Sequence, residues 1–509
     1  MTHKPALLFF LFFLIFFVFA LFLMRLFQLT IVRGDYYRRL SEQNRIRELI
    51  IEPERGKILD RMGFVLVENL SPDTRENSLR IKSSRKYYDA VINAPIVGYR
   101  QLANEADLKN DLCPTRLKLG DKIGKKGVEK VYDCLIRGKS GKKLIEIDAH
   151  GKYIRPLTII QPQNGATIQL ALDEELQKKA GELITGKKAA VVALKAKTGE
   201  VLVLASSLSY NPQAFEDGDV ETITRYLTDK NKPLFNRATE ASYPPGSLFK
   251  LVLAAGALEE KKIDETTVFE DTGTLNAGPL SFGNWYFLQY GKTDGTVDIV
   301  KAIKRSNDIF FYKTGFLLTP EKIKLWAETL GLGKNIDFGL ETTSGFVPSP
   351  FWKEETLHDR WYLGDTYNLS IGQGYVLTTP LQMAILTSVF ANNGTMCQPK
   401  LLKNEKPDCQ KISISQKTLD LVTEGMKQAC ASGGTGWTFF DFKPTVACKT
   451  GTAESHSVSS LPHAWFTVFA PFDDPQIILT VFLEEAGQGS DVAGPIARDI
   501  LKTYFERMQ

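Results

Sequence analysis

The chemistry available to this sequence centres on a serine and a lysine three positions apart. Ser247 and Lys250 follow a Tyr-Pro-Pro-Gly segment at 243–246 and precede an apolar run at 251–255. Residues i and i+3 share a helix face, so a helix beginning here would bring the lysine amine towards the serine hydroxyl. A serine becomes a nucleophile beside a base, and burial can lower the pKa of a lysine enough to make it that base. The pattern predicts nucleophilic catalysis by Ser247, with Lys250 as an uncharged amine.

Two further Ser-x-x-Lys matches occur, at 83–86 and 140–143. Both lie in polar or glycine-broken stretches, and no apolar helix follows either of them. We interpret both as chance matches, because neither offers the loop, helix and buried lysine that the chemistry requires.

A second polar group follows the amphipathic run at 297–304 and consists of Ser306, Asn307 and Asp308. The Ser306 hydroxyl could relay a proton between Lys250 and a leaving amine. The Asp308 carboxylate could accept a hydrogen bond from a lysine or from a substrate amide. Helix capping is the alternative, since serine, asparagine and aspartate are all good caps.

A third group, Lys449, Thr450, Gly451 and Thr452, ends an apolar stretch that is typical of a strand. An ammonium at Lys449 and the two threonine hydroxyls would suit a terminal carboxylate, and the glycine permits close backbone approach. The similar Lys-Thr-Gly at 197–199 lies where we expect a hairpin turn, so we interpret it as structural.

In this order, the three groups match the S-x-x-K, S-D-N-like and K-T-G signature of penicillin-interacting serine enzymes. The chain resembles class B penicillin-binding proteins, and among them the elongation-specific type. The resemblance extends to residues 55–56, 60–61, 127–133, 148–149, 151, 243–246, 372–374, 379–382 and 463–466. The Tyr-Pro-Pro-Gly lead and an aspartate at 308, where division enzymes usually have asparagine, both favour the elongation type.

The resemblance implies a peptidoglycan D,D-transpeptidase that crosslinks stem peptides and is acylated by β-lactams. The predicted catalytic residues are Ser247, Lys250, Ser306, Asp308 and Lys449. The predicted substrate-binding residues are Asn307, Thr450, Gly451 and Thr452. The resemblance further implies an oxyanion hole formed by the backbone amides of Ser247 and Thr452.

Alternative functions remain open on the sequence alone. A septal transpeptidase of the same class and a carboxypeptidase would share these motifs. A membrane-tethered β-lactam sensor would be expected to have several spans and an output domain. A tethered β-lactamase would need a deacylating base and has no use for the long segment that precedes the serine motif.

The fold class that we expect is a multidomain α+β or α/β protein. The predicted domains are a short cytoplasmic tail (1–5), a transmembrane signal anchor (6–24), a stalk and β-rich pedestal (25–165) and a transpeptidase domain (166–509). The last is expected to contain an antiparallel sheet flanked by helices, as in serine β-lactamases. Within it, we predict a helix at 173–183 with Asp173 as its N-cap, followed by a hairpin at 189–205.

Residues 6–24 are uninterrupted apolar positions, long enough to cross the ~30 Å hydrocarbon core of a bilayer. No small-residue cleavage site follows, so we expect an uncleaved anchor. The flanking charges do not favour export of the C-terminal part. We nevertheless place that part on the outer side of the bacterial cytoplasmic membrane, because the polymeric substrate is found there.

Six cysteines are present, and pairs between Cys113 and Cys134 or between Cys397 and Cys409 are as compatible with the sequence as free thiols are. Some relatives hold zinc between the first two motifs, but 251–305 contains neither Cys nor His, so we expect no metal and no cofactor. The net charge of +4 argues against nucleic-acid binding. By resemblance, the expected partners are a SEDS-family glycosyltransferase and elongation scaffold proteins.

Overall fold

The computed structural model describes residues 4–70, 80–81, 83–148, 150–455 and 461–507. Residues 1–3 of the predicted tail, Ala149 of one quoted family match and the last two residues of the predicted transpeptidase domain lie outside these ranges.

Helices and strands alternate along most of the chain. The helices are α1 (Lys4–Phe27), α2 (Gly34–Arg45), α3 (Ala90–Val97), α4 (Glu105–Asn110), α5 (Gly127–Val131), α6 (Asp133–Ile136), α7 (Glu174–Ile184), α8 (Gln213–Asp217), α9 (Val220–Thr228), α10 (Lys250–Glu259), α11 (Trp285–Tyr290), α12 (Ile299–Arg305), α13 (Asp308–Leu318), α14 (Pro320–Thr329), α15 (Pro350–Leu357), α16 (Leu363–Ser370), α17 (Pro380–Ala391), α18 (Gln416–Ala429) and α19 (Gly494–Glu506). The strands are β1 (Ile46–Ile51), β2 (Ile58–Leu59), β3 (Val65–Leu70), β4 (Arg80–Ile81), β5 (Ser84–Tyr87), β6 (Tyr99–Leu102), β7 (Lys122–Lys126), β8 (Gly141–Ile147), β9 (Tyr153–Ile160), β10 (Ile168–Gln169), β11 (Ala189–Lys195), β12 (Val201–Ser206), β13 (Phe269–Glu270), β14 (Thr274–Ala277), β15 (Leu280–Gly283), β16 (Thr296–Val297), β17 (Thr395–Cys397), β18 (Cys409–Lys411), β19 (Ala447–Ala453), β20 (His463–Ala470) and β21 (Ile477–Leu483).

The chain forms two compact units. The first comprises the described residues of 1–55, 70–84 and 137–165, and the second those of 56–69, 85–136 and 166–509. The predicted boundary after residue 165 coincides with one crossing between the units. Two stretches that the sequence assigns to the pedestal, 56–69 and 85–136, belong to the second unit.

The first unit begins with the apolar helix expected at the N-terminus. The stretch Pro5–Val32 is long and apolar enough to cross a membrane, and none of its apolar window is buried. The predicted stalk and strand follow as α2 and β1. A four-stranded sheet in the order β4-β1-β8-β9 forms the body of this unit, and all eight residues of its edge strand β9 are exposed.

The second unit is built on a five-stranded antiparallel sheet in the order β12-β11-β21-β20-β19. Side chains alternate between its faces, because successive residues of a strand point to opposite sides. Phe466 of β20 packs in a core with α7 and α19, whereas its neighbour Trp465 packs in a core with α10. This confirms the predicted antiparallel sheet with helices on both faces.

The first strands of this sheet match the sequence prediction. Helix α7 begins after Asp173, whose carboxylate accepts a hydrogen bond from the Leu176 amide, and the predicted hairpin is formed by β11 and β12. The Lys-Thr-Gly at 197–199 lies in the turn of that hairpin, as expected.

Two elements of the second unit position the predicted chemistry. Helix α10 is buried at every residue from Lys250 to Ala257, which is typical of a helix that is apolar all round. Strand β19 lies at the end of the sheet and pairs on one side with β20, so its other edge faces the turn that precedes α10.

All six cysteines form disulfide bonds: Cys113 with Cys134, Cys397 with Cys409, and Cys430 with Cys448. The first two pairs were open possibilities on the sequence. The third was not foreseen, and it joins the residue after α18 to strand β19.

Candidate active site

Ser247 lies in a short 3-10 turn, Gly246–Phe249, that leads directly into α10. Its neighbours Gly246 and Leu248 are buried, whereas Ser247 itself is only partly buried. Among the residues that the structure describes, no hydrogen bond to the Ser247 hydroxyl is found. The hydroxyl is thus at the start of the helix and reachable, as the sequence predicts for a nucleophile.

The Lys250 amine is fully enclosed and makes three hydrogen bonds. It donates to Asp308 Oδ1 at 2.6 Å, to the Ser306 carbonyl oxygen at 2.8 Å and to Ser306 Oγ at 3.2 Å. Ser306 ends α12 with a left-handed φ of +53°, which is uncommon for a residue other than glycine. In this conformation both its carbonyl and its hydroxyl contact Lys250.

Lys449 reaches the same hydroxyl from strand β19. Its amine donates to Ser306 Oγ at 2.8 Å and to its neighbour's carbonyl, Thr450 O, at 2.9 Å. Lys449 is fully buried and Ser306 is nearly so. The Ser306 hydroxyl therefore bridges two enclosed amines, an arrangement that could pass a proton from one to the other.

Burial and one neighbouring carboxylate act on the charges of the two amines in this pocket. Burial lowers the pKa of Lys250, and the Asp308 carboxylate opposes that shift. Burial and the positive charge of Lys250 hold the pKa of Lys449 well below its ordinary value. We expected an uncharged amine at Lys250 and an ammonium at Lys449. The Asp308 carboxylate bonds to Lys250 and favours its charged form, whereas burial and the charge of Lys250 both favour the neutral form of Lys449.

Asp308 is held from two directions at the start of α13. Its Oδ2 accepts a hydrogen bond from the Trp285 backbone amide at 2.8 Å. Its own backbone amide donates to Asn284 Oδ1 at 3.1 Å. The carboxylate that faces Lys250 is therefore positioned by residues 284–285, which the sequence analysis did not single out.

Asn307 differs from the expectation of a substrate contact. Its side chain is fully buried and caps α13, since Oδ1 accepts a hydrogen bond from the Phe310 amide. Its Nδ2 donates to Asp271 at 2.9 Å and to Asp294 at 3.1 Å. These bonds use the amide internally, and they favour the capping alternative for this residue of the motif.

Hydroxyl groups follow strand β19 beyond Lys449. Thr450 Oγ1 donates to Thr435 Oγ1 at 2.8 Å, and Thr452 Oγ1 accepts from the Gly489 amide at 3.3 Å. A side chain at Gly451 would lie 2.5 Å from Leu248 Cδ1, so only glycine lets the strand approach the serine turn this closely. The structure thus brings Thr450, Gly451 and Thr452 to the same edge as Lys449.

The other Ser-x-x-Lys matches lack this geometry. Lys86 lies in β5 and Lys143 in β8, so neither lysine shares a helix face with its serine. Sequence reasoning missed Asp271, Asn284 and Thr435, because isolated polar residues within two positions of a glycine are also typical of ordinary turns.

Gly246→Ala is expected to slow acylation of Ser247 by about 10- to 100-fold, because small displacements of reacting groups have effects of that size. Gly246 has a φ of +54°, and an added Cβ would lie 2.6 Å from the Thr452 carbonyl oxygen. The serine turn and β19 would have to separate. The rate of labelling by a fluorescent penicillin measures the effect.

Gly218→Ala is the matched control for Gly246→Ala. Gly218 also has a left-handed φ, +71°, but nothing lies within 4 Å of its added Cβ. Both variants carry the same kind of backbone strain, ~1–2 kcal/mol, and only one presses on the site. Equal rates in the two variants would show that the contact with Thr452 is unimportant.

Residues 189–502 match the penicillin binding protein transpeptidase domain, and 77–170 match the penicillin-binding protein dimerisation domain. The peptidoglycan D,D-transpeptidase MrdA of Haemophilus influenzae is 31% identical over 95% of this chain and 89% of its own length.

Two solved structures have similar folds. The penicillin-binding protein PBP2 of Helicobacter pylori, in complex with MreC, has a TM-score of 0.78 and 27% identity, covering 91% of this chain and 99% of that one. A chain from a peptidoglycan synthase complex that coordinates polymerization and crosslinking has a TM-score of 0.79 and 26% identity, covering 97% of this chain and 98% of that one.

Proposed function

Because this chain belongs to the class B penicillin-binding proteins of the PBP2 type, the elongation peptidoglycan D,D-transpeptidases, we propose that Ser247 is its acylated residue and Lys250 its base. The observation that carries this assignment is the Ser306 hydroxyl, which accepts hydrogen bonds from the amines of both Lys250 and Lys449. Lys250 follows Ser247 by one helical turn, and the Ser247 side chain is only partly buried. The named relatives favour this function over a β-lactam sensor or a β-lactamase.

In the first step, Ser247 Oγ attacks the carbonyl carbon between the two D-alanines of a stem peptide, and its proton passes to Lys250. The backbone amides of Ser247 and Thr452 stabilise the oxyanion of the tetrahedral intermediate. The proton then reaches the departing D-alanine amine through the Ser306 hydroxyl. The C–N bond breaks, leaving an ester on Ser247.

In the second step, an amine of a neighbouring stem peptide attacks this ester. Its proton returns through the same relay to the Ser247 oxygen, and a new amide joins the two peptides. A β-lactam follows only the first step. Its leaving amine stays tethered within the opened ring, and the ester on Ser247 persists.

Binding of the substrate carboxylate would also change which of the two lysine amines is charged. Lys449, Thr450 and Thr452, with close backbone approach at Gly451, are the residues that would receive it. A carboxylate beside Lys449 favours the ammonium form and raises the pKa of Lys449. Repulsion between two ammonium groups then lowers the pKa of Lys250, so substrate binding itself releases the base. Asn307 has a positioning part in this proposal, through its cap on α13.

The proposed location is the outer face of the cytoplasmic membrane, with Pro5–Val32 as the anchor. Three disulfide bonds in the structure support exposure to an oxidising compartment. The proposed domains are a pedestal at 25–165 and a transpeptidase domain at 166–509. Residues 56–69 and 85–136 of the pedestal pack with the transpeptidase domain.

The proposed partners are a SEDS-family glycosyltransferase and an elongation scaffold protein. The similar chains described above assemble with MreC or within a peptidoglycan synthase complex. Exposed apolar side chains on the edge strand β9, including Tyr153 and Ile160, are suited to cover by another protein.

Peptide mapping after labelling with a fluorescent penicillin tests the assignment. We expect one covalent adduct, on the tryptic peptide that contains Ser247. The mass increase should equal the whole penicillin, because ring opening releases no leaving group. An adduct on Ser83 or Ser140 instead would refute the assignment.

A further inference from the structure

A buried polar cluster adjoins the Ser306–Asp308 segment, and within the described structure it makes no hydrogen bond to Ser247 or Lys250. It consists of two carboxylates and two amides, from Asp271, Asp294, Asn284 and Asn307, and we call it the Asp271 cluster. Asp271 is 3% exposed, and both asparagines are completely buried. Charged groups are rarely enclosed in this way unless every acceptor is used.

Asp271 is the centre of this cluster. Its Oδ2 accepts hydrogen bonds from Asn284 Nδ2 at 2.7 Å, from the Asp294 amide at 2.8 Å and from Asn307 Nδ2 at 2.9 Å. Its Oδ1 accepts from the Gly273 amide at 2.9 Å. One carboxylate therefore ties together three separate loops. The Asp294 side chain is in turn ion-paired with Arg305.

The Asp271 cluster connects to the proton-transfer residues through Asn284. The side chain of Asn284 donates to Asp271 and accepts from the Asp308 amide. The next residue, Trp285, donates its backbone amide to Asp308 Oδ2. The other carboxylate oxygen, Oδ1, is the one that bonds to Lys250 at 2.6 Å.

We propose that Asp271 and Asn284 are positioning residues for the transpeptidase reaction, which hold the Asp308 carboxylate against Lys250. This inference rests on the proposed function of Lys250 as the base. Neither residue touches the substrate. The amide of Asn284 fixes the backbone of Asp308, and Asp271 fixes that amide by accepting a hydrogen bond from it.

Asp271→Asn in the full-length chain, purified in detergent, tests the inference. An amide has the same shape but replaces one acceptor oxygen with a donor, so it opposes the donors from Asn284 and Asn307. The measurements are the rate constant of acylation by a fluorescent penicillin at about pH 6 to about pH 10, the labelled fraction at completion and the melting temperature.

We expect the plateau rate of Asp271→Asn to fall by about 100-fold, the size of effect that misplacement of a reacting group produces. The midpoint of its pH profile should move to lower pH. The charged groups facing Lys250 are Asp308 and Lys449, and the carboxylate raises the pKa of Lys250. If the contact between Asp308 and Lys250 loosens, the pKa of Lys250 falls, and its amine remains neutral at lower pH values.

Asp298→Asn is the matched control. Asp298 caps α12 by accepting a hydrogen bond from the Lys301 amide, and asparagine caps equally well. Asp298 lies between Asp294 and Asn307 in the chain, and no hydrogen bond joins it to Asp308 in the described structure. Its rate and pH midpoint should be those of the unsubstituted enzyme.

A purely structural cluster gives a different result. In that case Asp271→Asn lowers the melting temperature and the labelled fraction, but the folded remainder reacts at the normal rate with the normal midpoint. That outcome would overturn the inference.

If Asp271→Asn does not fold, the variant Asn284→Asp tests the positioning role instead. Its oxygen can still accept from the Asp308 amide, but it sets a second carboxylate against Asp271. Relative to the unsubstituted enzyme at each pH, its rate should be low at neutral pH and recover as acid supplies a shared proton. A constant ratio across pH would contradict the positioning role.

The experiment separates this inference from the proposed function. If Ser247→Ala still becomes labelled, the proposed function fails, whatever the other variants do. If Ser247→Ala is unlabelled while Asp271→Asn reacts like the unsubstituted enzyme, only the positioning inference fails.

Discussion

Ser247→Ala should abolish covalent labelling by penicillin and release of D-alanine from a stem pentapeptide, with a loss on the order of 10⁶-fold. The physical reason is that Ser306, the other serine beside Lys250, cannot take over: its hydroxyl is bonded to both amines and nearly buried. Because the Ser247 side chain is only partly buried, the melting temperature should hardly change.

Ser247→Cys is the control for this loss. It retains a nucleophilic side chain at the same position, so a thioester adduct, formed slowly, is expected and should map to residue 247. Covalent labelling of Ser247→Ala at a rate near that of the unsubstituted enzyme would contradict our assignment of the nucleophile.

Lys250→Met should lower the acylation rate by about 10²- to 10⁴-fold, the usual contribution of a general base. Methionine is unbranched and apolar, and therefore suited to the space of a lysine that is fully buried. The Ser247 hydroxyl then has no amine on the same helix face to take its proton. Measured against pH, the labelling rate should also lose its dependence on the ionisation of Lys250.

The pH dependence of the unsubstituted enzyme has a definite sign. A lysine acts as a base in its neutral form. The acylation rate should therefore increase as the pH rises through the lowered pKa of Lys250, and it should be low at pH values below that pKa. Asp308→Asn removes the carboxylate that opposes the lowering, so the midpoint should move to lower pH. A shift to higher pH would mean that Asp308 does not act on Lys250 through its charge.

The serine turn and its helix were predictable because their signal is local. A Pro-Pro-Gly loop followed by an apolar run specifies the 3-10 turn and the buried helix α10, and the spacing of Ser247 and Lys250 follows from helix geometry. The antiparallel sheet was also expected, because β11 and β12 are apolar runs joined by a glycine turn.

The rest of the site depends on contacts that local patterns do not encode. Asp271 and Asn284 are far from Lys449 in the chain. Only the fold shows that these two residues support the Asp308 carboxylate, which faces the Lys250 amine. Which lysine amine has a carboxylate that favours its charged form depends on which amine Asp308 touches. Asn307 reads as part of the motif, but its amide turns inward and caps α13.

The pedestal boundary illustrates a second limit. The pedestal was predicted at 25–165, and two of its stretches, 56–69 and 85–136, lie in the second unit. Ile58, Val67 and Val128 nevertheless share a core with the catalytic sheet, because short apolar stretches from several loops add up to one buried surface.

The bond between Cys430 and Cys448 places a redox-sensitive link immediately before Lys449. If the protein has the location proposed above, crosslinking of the cell wall would depend on the supply of oxidising equivalents outside the membrane. A bacterium that cannot oxidise thiols in its envelope would synthesise this enzyme with a loosened edge strand. Loss of cell shape would accompany that defect even if the transcript and the protein remained abundant.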